Sequence, residues 1–153
     1  MTHSTYAQGH SEEFESMKKL FLDTNIFLRF FLRDNEDQYQ DVHKLFKKIE
    51  EGNFKPYTSS IVFLELNYVV RSIYKLSIDE VLDYTDAVRK MRGMTVIEKT
   101  YTDKAISLYK KYKIKLGDCF IASQLPKEAI LLSYDADFRK VKEIQSQTPD
   151  EIL

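Results

Sequence analysis

The stretch KKLFLDTNIFLRFF, residues 18–31, decides the fold. Leu20, Phe21 and Leu22 form a continuous apolar run of strand length, as expected for a strand covered on both faces, and such strands belong to parallel sheets. The run stops at an acid, Asp23. Ile26, Phe27, Phe30 and Phe31 then recur at helical spacing, so the acid sits between a buried strand and a helix.

Downstream, the same alternation continues. A helical pattern runs from about Glu36 through Val42, Leu45, Phe46 and Ile49, with Gly52 as its stop. Thr58, Ser59 and Ser60 can cap a helix whose stripe is Val62, Leu66, Val69 and Ile73. Ser77 with Glu80 makes a capping box for the next, with Ile78, Val81, Leu82, Val88 and Met91 on one face. Thr95 to Ile97 is β-branched, and a helix starting near Thr102 carries Ile106, Tyr109 and Tyr112. Gly117 to Leu125 is another short helix, broken at Pro126. Ala129 to Tyr134 is an aliphatic run of strand length, followed by Asp135 and a final amphipathic segment with Phe138, Val141 and Ile144. Strands alternating with helices predict an α/β layered fold around a central, mostly parallel sheet.

Upstream, residues 1–16 carry little apolar periodicity and are expected to be a flexible tail, with the domain spanning 17–153 and Met17 as its natural start. The chain has 153 residues, 43% of them hydrophobic and 31% charged, which suits one domain with a real core. Lysine and arginine total 23 against 24 acids, a formal charge of -1, so a polyanion has to be held by a local patch or by metal ions. One cysteine forbids an internal disulfide and cannot build a cysteine zinc site; a reducing, cytoplasmic location is expected. No apolar run reaches the ~18 to 20 residues a membrane helix needs, and no signal-peptide core is visible.

Four acids stand out. Asp23 and Asp135 directly follow the first and last strands, where open parallel sheets build their ligand crevices. Each residue also suits a turn or helix cap. Glu65 has Ile61, Val62, Tyr68 and Val69 as its helical neighbours, so a carboxylate is set into an apolar stripe and needs a cation, a metal, a cavity edge or a base such as Arg71. Asp118 follows Gly117 near a helix start, with Ile121 and Ala122 on its face, a position that capping alone also explains. A doubly wound sheet can bring all four to one crevice. At about 5 Å and an effective dielectric of about 20, each ionised pair repels by roughly 3 kcal/mol, so such a cluster implies protons or hard divalent ions such as Mg²⁺ or Mn²⁺. All-oxygen ligands argue against zinc.

LDTN at 22–25, SSIVFLELNYVV with Glu65, LGDCFIASQ with Asp118 and LLSYDADF with Asp135 together resemble the PIN domain family, in particular its VapC-type toxin ribonucleases, over about residues 17–145. The resemblance implies that Asp23, Glu65, Asp118 and Asp135 form an acidic quartet holding Mg²⁺ or Mn²⁺ for hydrolysis of an RNA phosphodiester. Asn25 would then orient Asp23 or a metal-bound water. Ser133 stands where a threonine is common in the family and keeps the hydroxyl, and Cys119 stands where a small apolar residue is usual, as a buried side chain rather than a nucleophile. Asp137 competes with Asp135 for the fourth place; Asp135 is preferred because it directly follows the strand. The resemblance further implies a homodimer and a small antitoxin partner covering the site.

No histidine occupies an expected active-site position: His3 and His10 are in the tail, and His43 lies among Lys44, Lys47 and Lys48. Bases that could guide RNA are Arg29 and Arg33 after Asp23, and Lys110, Lys111, Lys113 and Lys115 before Asp118, although a charge run is also what a solvated face looks like. The aromatic residues Phe27, Phe30, Phe31, Phe46, Phe63, Tyr68 and Tyr74 exceed what one small core needs and could serve a dimer face or a partner groove. Three other readings remain open. A phosphotransferase or receiver-like domain also puts an acid after its first strand, but Asn25 replaces the second acid of a dehalogenase-like site and no late lysine suits a receiver. A PIN nuclease of RNA maturation or DNA processing is the second, and a catalytically silent PIN-like binding module the third.

Overall fold

The computed structural model describes residues 17–153, so the expected tail at 1–16 lies outside the described residues. Strand β1 (Lys18–Leu22) leads through helices α1 (Thr24–Leu32) and α2 (Glu36–Glu50) to β2 (Phe54–Ser59). Helices α3 (Ser60–Ser72) and α4 (Ile78–Arg89) precede β3 (Thr95–Ile97), and α5 (Thr102–Tyr112) and α6 (Leu116–Gln124) precede β4 (Ile130–Leu132). A 3-10 turn (Ala136–Lys140), strand β5 (Gln145–Gln147) and α7 (Pro149–Ile152) close the domain. The five strands are all parallel, in the order β3-β2-β1-β4-β5.

Parallel strands need crossover helices, and those helices cover the sheet. Leu20, Phe21, Leu22, Leu131 and Leu132 are therefore fully buried, packed with Ile26, Phe27, Val42, Leu45, Ile49, Val62, Leu66 and Ile121 from the helices. Each such side chain contributes about 1.5–3 kcal/mol relative to exposure. Local signals fix the helix ends. Asn35, Ser59 and Ser77 accept from the backbone N–H groups of Gln38, Val62 and Glu80 at 3.1, 3.4 and 3.2 Å. After α2 the chain passes through Gly52 at φ +83°, a left-handed conformation that glycine adopts without a Cβ penalty. Leu125 is extended (φ −59°, ψ 126°), as a residue before proline must be, which ends α6.

One strand is added to the expected elements, and two expectations change. Strand β2, FKPYTS, is not visible as an apolar run; it is held by pairing with β1 and β3, and β3 begins opposite Tyr57, so Pro56 has a neighbouring strand on one side only. The final segment is not one amphipathic element. Phe138 and Val141 are buried by the 3-10 turn and its exit, and the chain then becomes the edge strand β5. On α5 the buried face is Ala105 and Leu108, while Ile106 and Tyr109 point outward, and on α4 Ile78 and Leu82 are exposed beside buried Val81 and Val88. No helix among the described residues is long and apolar enough to cross a membrane.

Strand order reverses between β1 and β4. From β1 the chain winds outward to β2 and β3, then returns to place β4 and β5 on the other side. Ligand crevices of open α/β sheets lie at the carboxyl ends of the strands at such a reversal.

Candidate active site

Leu22 of β1 lies opposite Leu132 of β4, so the next residues, Asp23 and Ser133, emerge side by side at the reversal point. The Asp23 N–H donates to Leu132 O at 3.1 Å, and the Ser133 hydroxyl donates to Asp23 Oδ2 at 2.7 Å. Ser133 Oγ in turn accepts from Asn25 Nδ2 at 3.1 Å and from the Asp135 N–H at 3.0 Å. Asn25 Oδ1 accepts from the Tyr134 N–H at 3.1 Å. One buried hydroxyl thus ties the loop after β1 to the loop after β4, and Asn25 acts on Asp23 through it.

The other two acids arrive on helices. Glu65 lies half-buried on α3, where Oε2 accepts from the Thr24 hydroxyl at 2.8 Å. It makes no ion pair among the described residues, with Arg71 or any other base. Asp118 is the third residue of α6, which packs against α3. Its neighbour Gly117 matters sterically: a Cβ there would sit 3.1 Å from Glu65 Oε1, so the absence of a side chain lets the two carboxylate-bearing helices approach.

Asp23, Glu65, Asp118 and Asp135 all line one cleft of about 610 Å³. Asp23 and Asp118 are only 4% and 7% exposed, and Asp23 Oδ1 and Asp118 Oδ2 are buried without a hydrogen-bond partner. Burial lifts the Asp23 carboxyl to about 6 against the opposing pull of the Ser133 hydroxyl, with the charges of Glu65 and Asp135 adding to the rise. Asp118 is pushed up to about 7, first by burial and then by Asp23, Asp135 and Glu65, while Lys115 pulls the other way.

Asp135 Oδ1 caps the 3-10 turn by accepting from the Asp137 N–H at 2.9 Å, whereas Asp137 pairs with Lys140 at 2.9 Å and does not line the cleft. Of the candidate bases only Lys115 lines it. Arg29 is held by Asp34 at 2.9 Å and by Gln38, Arg33 by Glu36 at 3.0 Å over the Tyr39 ring, and Lys113 leans over Tyr109. Thr24, Leu28 and Leu64, which sequence patterns left unmarked, complete the cleft together with Gly117, Tyr68 and Val69. Leu64 and Tyr68, one turn apart, are 70% and 68% exposed, so Tyr68 is one of the aromatic residues left over from the core, and Leu64 joins it.

The donor set is all oxygen, with two buried carboxylate oxygens unspent, which suits a hard divalent cation. Among the described residues no three histidine, cysteine, aspartate or glutamate side chains converge into a ready-made cage.

The PIN domain family model matches residues 20–144, a span that holds all four acids. The chain belongs to the PIN domain family. Among solved structures, this PIN domain is similar to VapBC2 from Rickettsia felis bound to a DNA fragment from its promoter, at TM-score 0.58 and 20% identity over 85% of this chain and 98% of the other. VapBC-1 from nontypeable Haemophilus influenzae gives TM-score 0.58 and 15% identity over 86% and 98%, and a toxin-antitoxin complex from Klebsiella pneumoniae gives 0.56 and 18% over 85% and 97%. At these identities the likeness establishes the shared fold. No curated protein's sequence matches the chain.

Proposed function

We propose that this PIN domain is a divalent-metal-dependent endoribonuclease and the toxin of a toxin-antitoxin pair. The observation that carries the reading is the pair of buried, mutually repelling carboxyls, Asp23 and Asp118, each with a buried, unpartnered oxygen, lining one cleft together with Glu65 and Asp135. Two raised, mutually repelling acids weaken the metal-free fold, so a cation is the natural partner.

Asp23, Glu65, Asp118 and Asp135 would hold Mg²⁺ or Mn²⁺. Magnesium keeps several waters and takes only one or two carboxylates directly, so a closed cage is not required. A bound ion of this kind supplies an activated water and neutralises charge on the leaving oxygen. The chain's own residues set the stage. Ser133 fixes Asp23 Oδ2 and leaves Oδ1 available, Asn25 fixes Ser133, and Thr24 fixes Glu65. Lys115 supplies a positive charge beside the acids where a phosphate has to enter. The exposed Leu64 and Tyr68 beside the acids suit a homodimer face or the apolar segment of a small antitoxin. The solved neighbours, two VapBC structures and a toxin-antitoxin complex, favour that assignment over RNA maturation or DNA processing.

A mixed single-stranded RNA pool and a matched DNA pool, each incubated with the protein and Mg²⁺ or Mn²⁺, test the substrate class. Cleavage restricted to RNA is expected. Equal or preferential DNA cleavage would move the assignment to DNA processing.

A further inference from the structure

A second cleft, of about 460 Å³, lies between α6 and the segment joining β3 to α5, and it shares no lining residue with the acidic one. Three features of it point the same way. Gln124 is only 3% exposed, its Nε2 donates to Lys99 O at 2.9 Å, and its Oε1 is buried with no partner. A buried, unpartnered amide oxygen is costly, so it calls for an N–H or O–H donor. Two aromatic rings, Tyr57 and Tyr101, line the same space, and Tyr101 is 44% exposed. Lys104 and Lys127 also line it and make no ion pair among the described residues, and both border as well an adjoining cleft that holds Glu128 and Glu143. Two further ammoniums reach the rings, Lys55 Nζ at 5.1 Å from the Tyr57 centroid and Lys99 Nζ at 5.2 Å from that of Tyr101.

A buried acceptor, flat aromatic surfaces and the Lys104 and Lys127 ammoniums ask together for a planar heterocycle that bears an N–H donor and an anionic tail. We infer that this cleft binds a nucleotide, the base against Tyr101 with its N–H on Gln124 Oε1 and the phosphate near Lys104 and Lys127. Stacking rings among basic side chains are how single-stranded nucleic acids are held without sequence preference, and the volume lies in the ordinary range of small-ligand sites. The ligand is either a free nucleotide or one residue of an RNA strand. Asp118 and Gln124 lie on the same helix, about 9 Å apart along its axis and about 120° apart around it at 3.6 residues per turn, so the second cleft opens from a different face of α6 than the acidic one.

The test is two-dimensional NMR on the intact protein in EDTA, so that it is independent of any metal-dependent hydrolysis. The probes are 5′-AMP, 5′-UMP, inorganic phosphate and a 2′-O-methyl RNA hexamer that resists cleavage, with the Gln124 side-chain amide and the 98–104 backbone as reporters. Saturable shifts at these reporters are expected from nucleotides. Tyr101→Ala and Lys127→Ala, both at exposed positions, should each weaken that binding by about tenfold. Shifts from monophosphates identify a free-nucleotide site, and shifts from the hexamer alone identify a strand-holding site; both support the inference. Phosphate binding as well as the nucleotides, nucleotide binding indifferent to both substitutions, or no shift with any probe would overturn it.

Discussion

Asp118 serves the site at the expense of the fold. Its carboxyl is buried, repelled by three other acids and left with an unpartnered oxygen. Asp118→Asn removes the charge and keeps the shape, so in EDTA at pH 8 the variant should melt above the wild type while losing RNA cleavage; a melting temperature below the wild type's would contradict the strain. The same two carboxyls predict a pH profile. Unfolded aspartate titrates near 3.9, whereas Asp23 and Asp118 hold their protons to about 6 and 7 in the fold. Across that window the native state binds more protons than the unfolded one, so metal-free stability falls as pH rises from about 4.5 to 7 and then levels off. Glu36, Glu143 and Glu151 are shifted the other way, to about 2, by Arg33, Lys111 and Arg139, but they are solvated and act below that window. Thermal unfolding in EDTA from pH 4.5 to 8.5 checks the slope, which Asp118→Asn should flatten. Ser133 is the third residue to test. Ser133→Ala removes the donor to Asp23 and the acceptor for Asn25 and the Asp135 N–H, a loss of about 1–3 kcal/mol, whereas Ser133→Thr keeps the hydroxyl and should retain most of the stability and of the Mn²⁺ affinity. Indifference of both quantities to Ser133→Ala would show that the hydroxyl does not organise the site.

At the scale of elements, α3 and α6 meet where Gly117 carries no side chain against Glu65. Gly117→Ala should raise helix propensity, by up to about 1 kcal/mol, while its Cβ presses on Glu65 Oε1 at 3.1 Å. The expected result is a fold at least as stable as the wild type with weaker Mn²⁺ binding by calorimetry; unchanged affinity would show that Glu65 yields freely. This contact also marks where sequence reading stops. Strands β1 and β4 were legible because a strand buried on both faces is apolar throughout, and the acids at their ends were legible because chain and strand end together. Glu65 stood out as a charge inside an apolar stripe. Strand β2 was not legible, because FKPYTS owes its place to backbone pairing that leaves no apolar period. The role of Thr24 is not legible for a related reason: its partner lies 41 residues away, and no local spacing encodes such a bond. Arg29 and Arg33 had the right spacing for RNA, but Asp34 and Glu36 on the following turn and helix hold them. Of the lysines before Asp118, only Lys115 lines the acidic cleft, because α5 ends before it and α6 begins after it.

For the whole molecule, an all-parallel sheet with its reversal between β1 and β4 brings acids from four separate segments to one crevice. That convergence was implied by the order of strands and helices, but its surroundings were not, since the exposed Leu64 and Tyr68 wall appears only once the helices are packed. If that wall is an interface, light scattering after size exclusion should report twice the 18.1 kDa chain mass, and Tyr68→Lys should shift the population toward monomer; a clean monomer for the unaltered chain would remove the dimer from the account. The central claim, that the acidic cleft hydrolyses RNA with a divalent ion, is tested most directly by RNA cleavage with Mn²⁺, with EDTA in its place, and with the Asp118→Asn variant. The account predicts cleavage in the first and none in the other two. Cleavage that persists in EDTA and in the variant alike would contradict it.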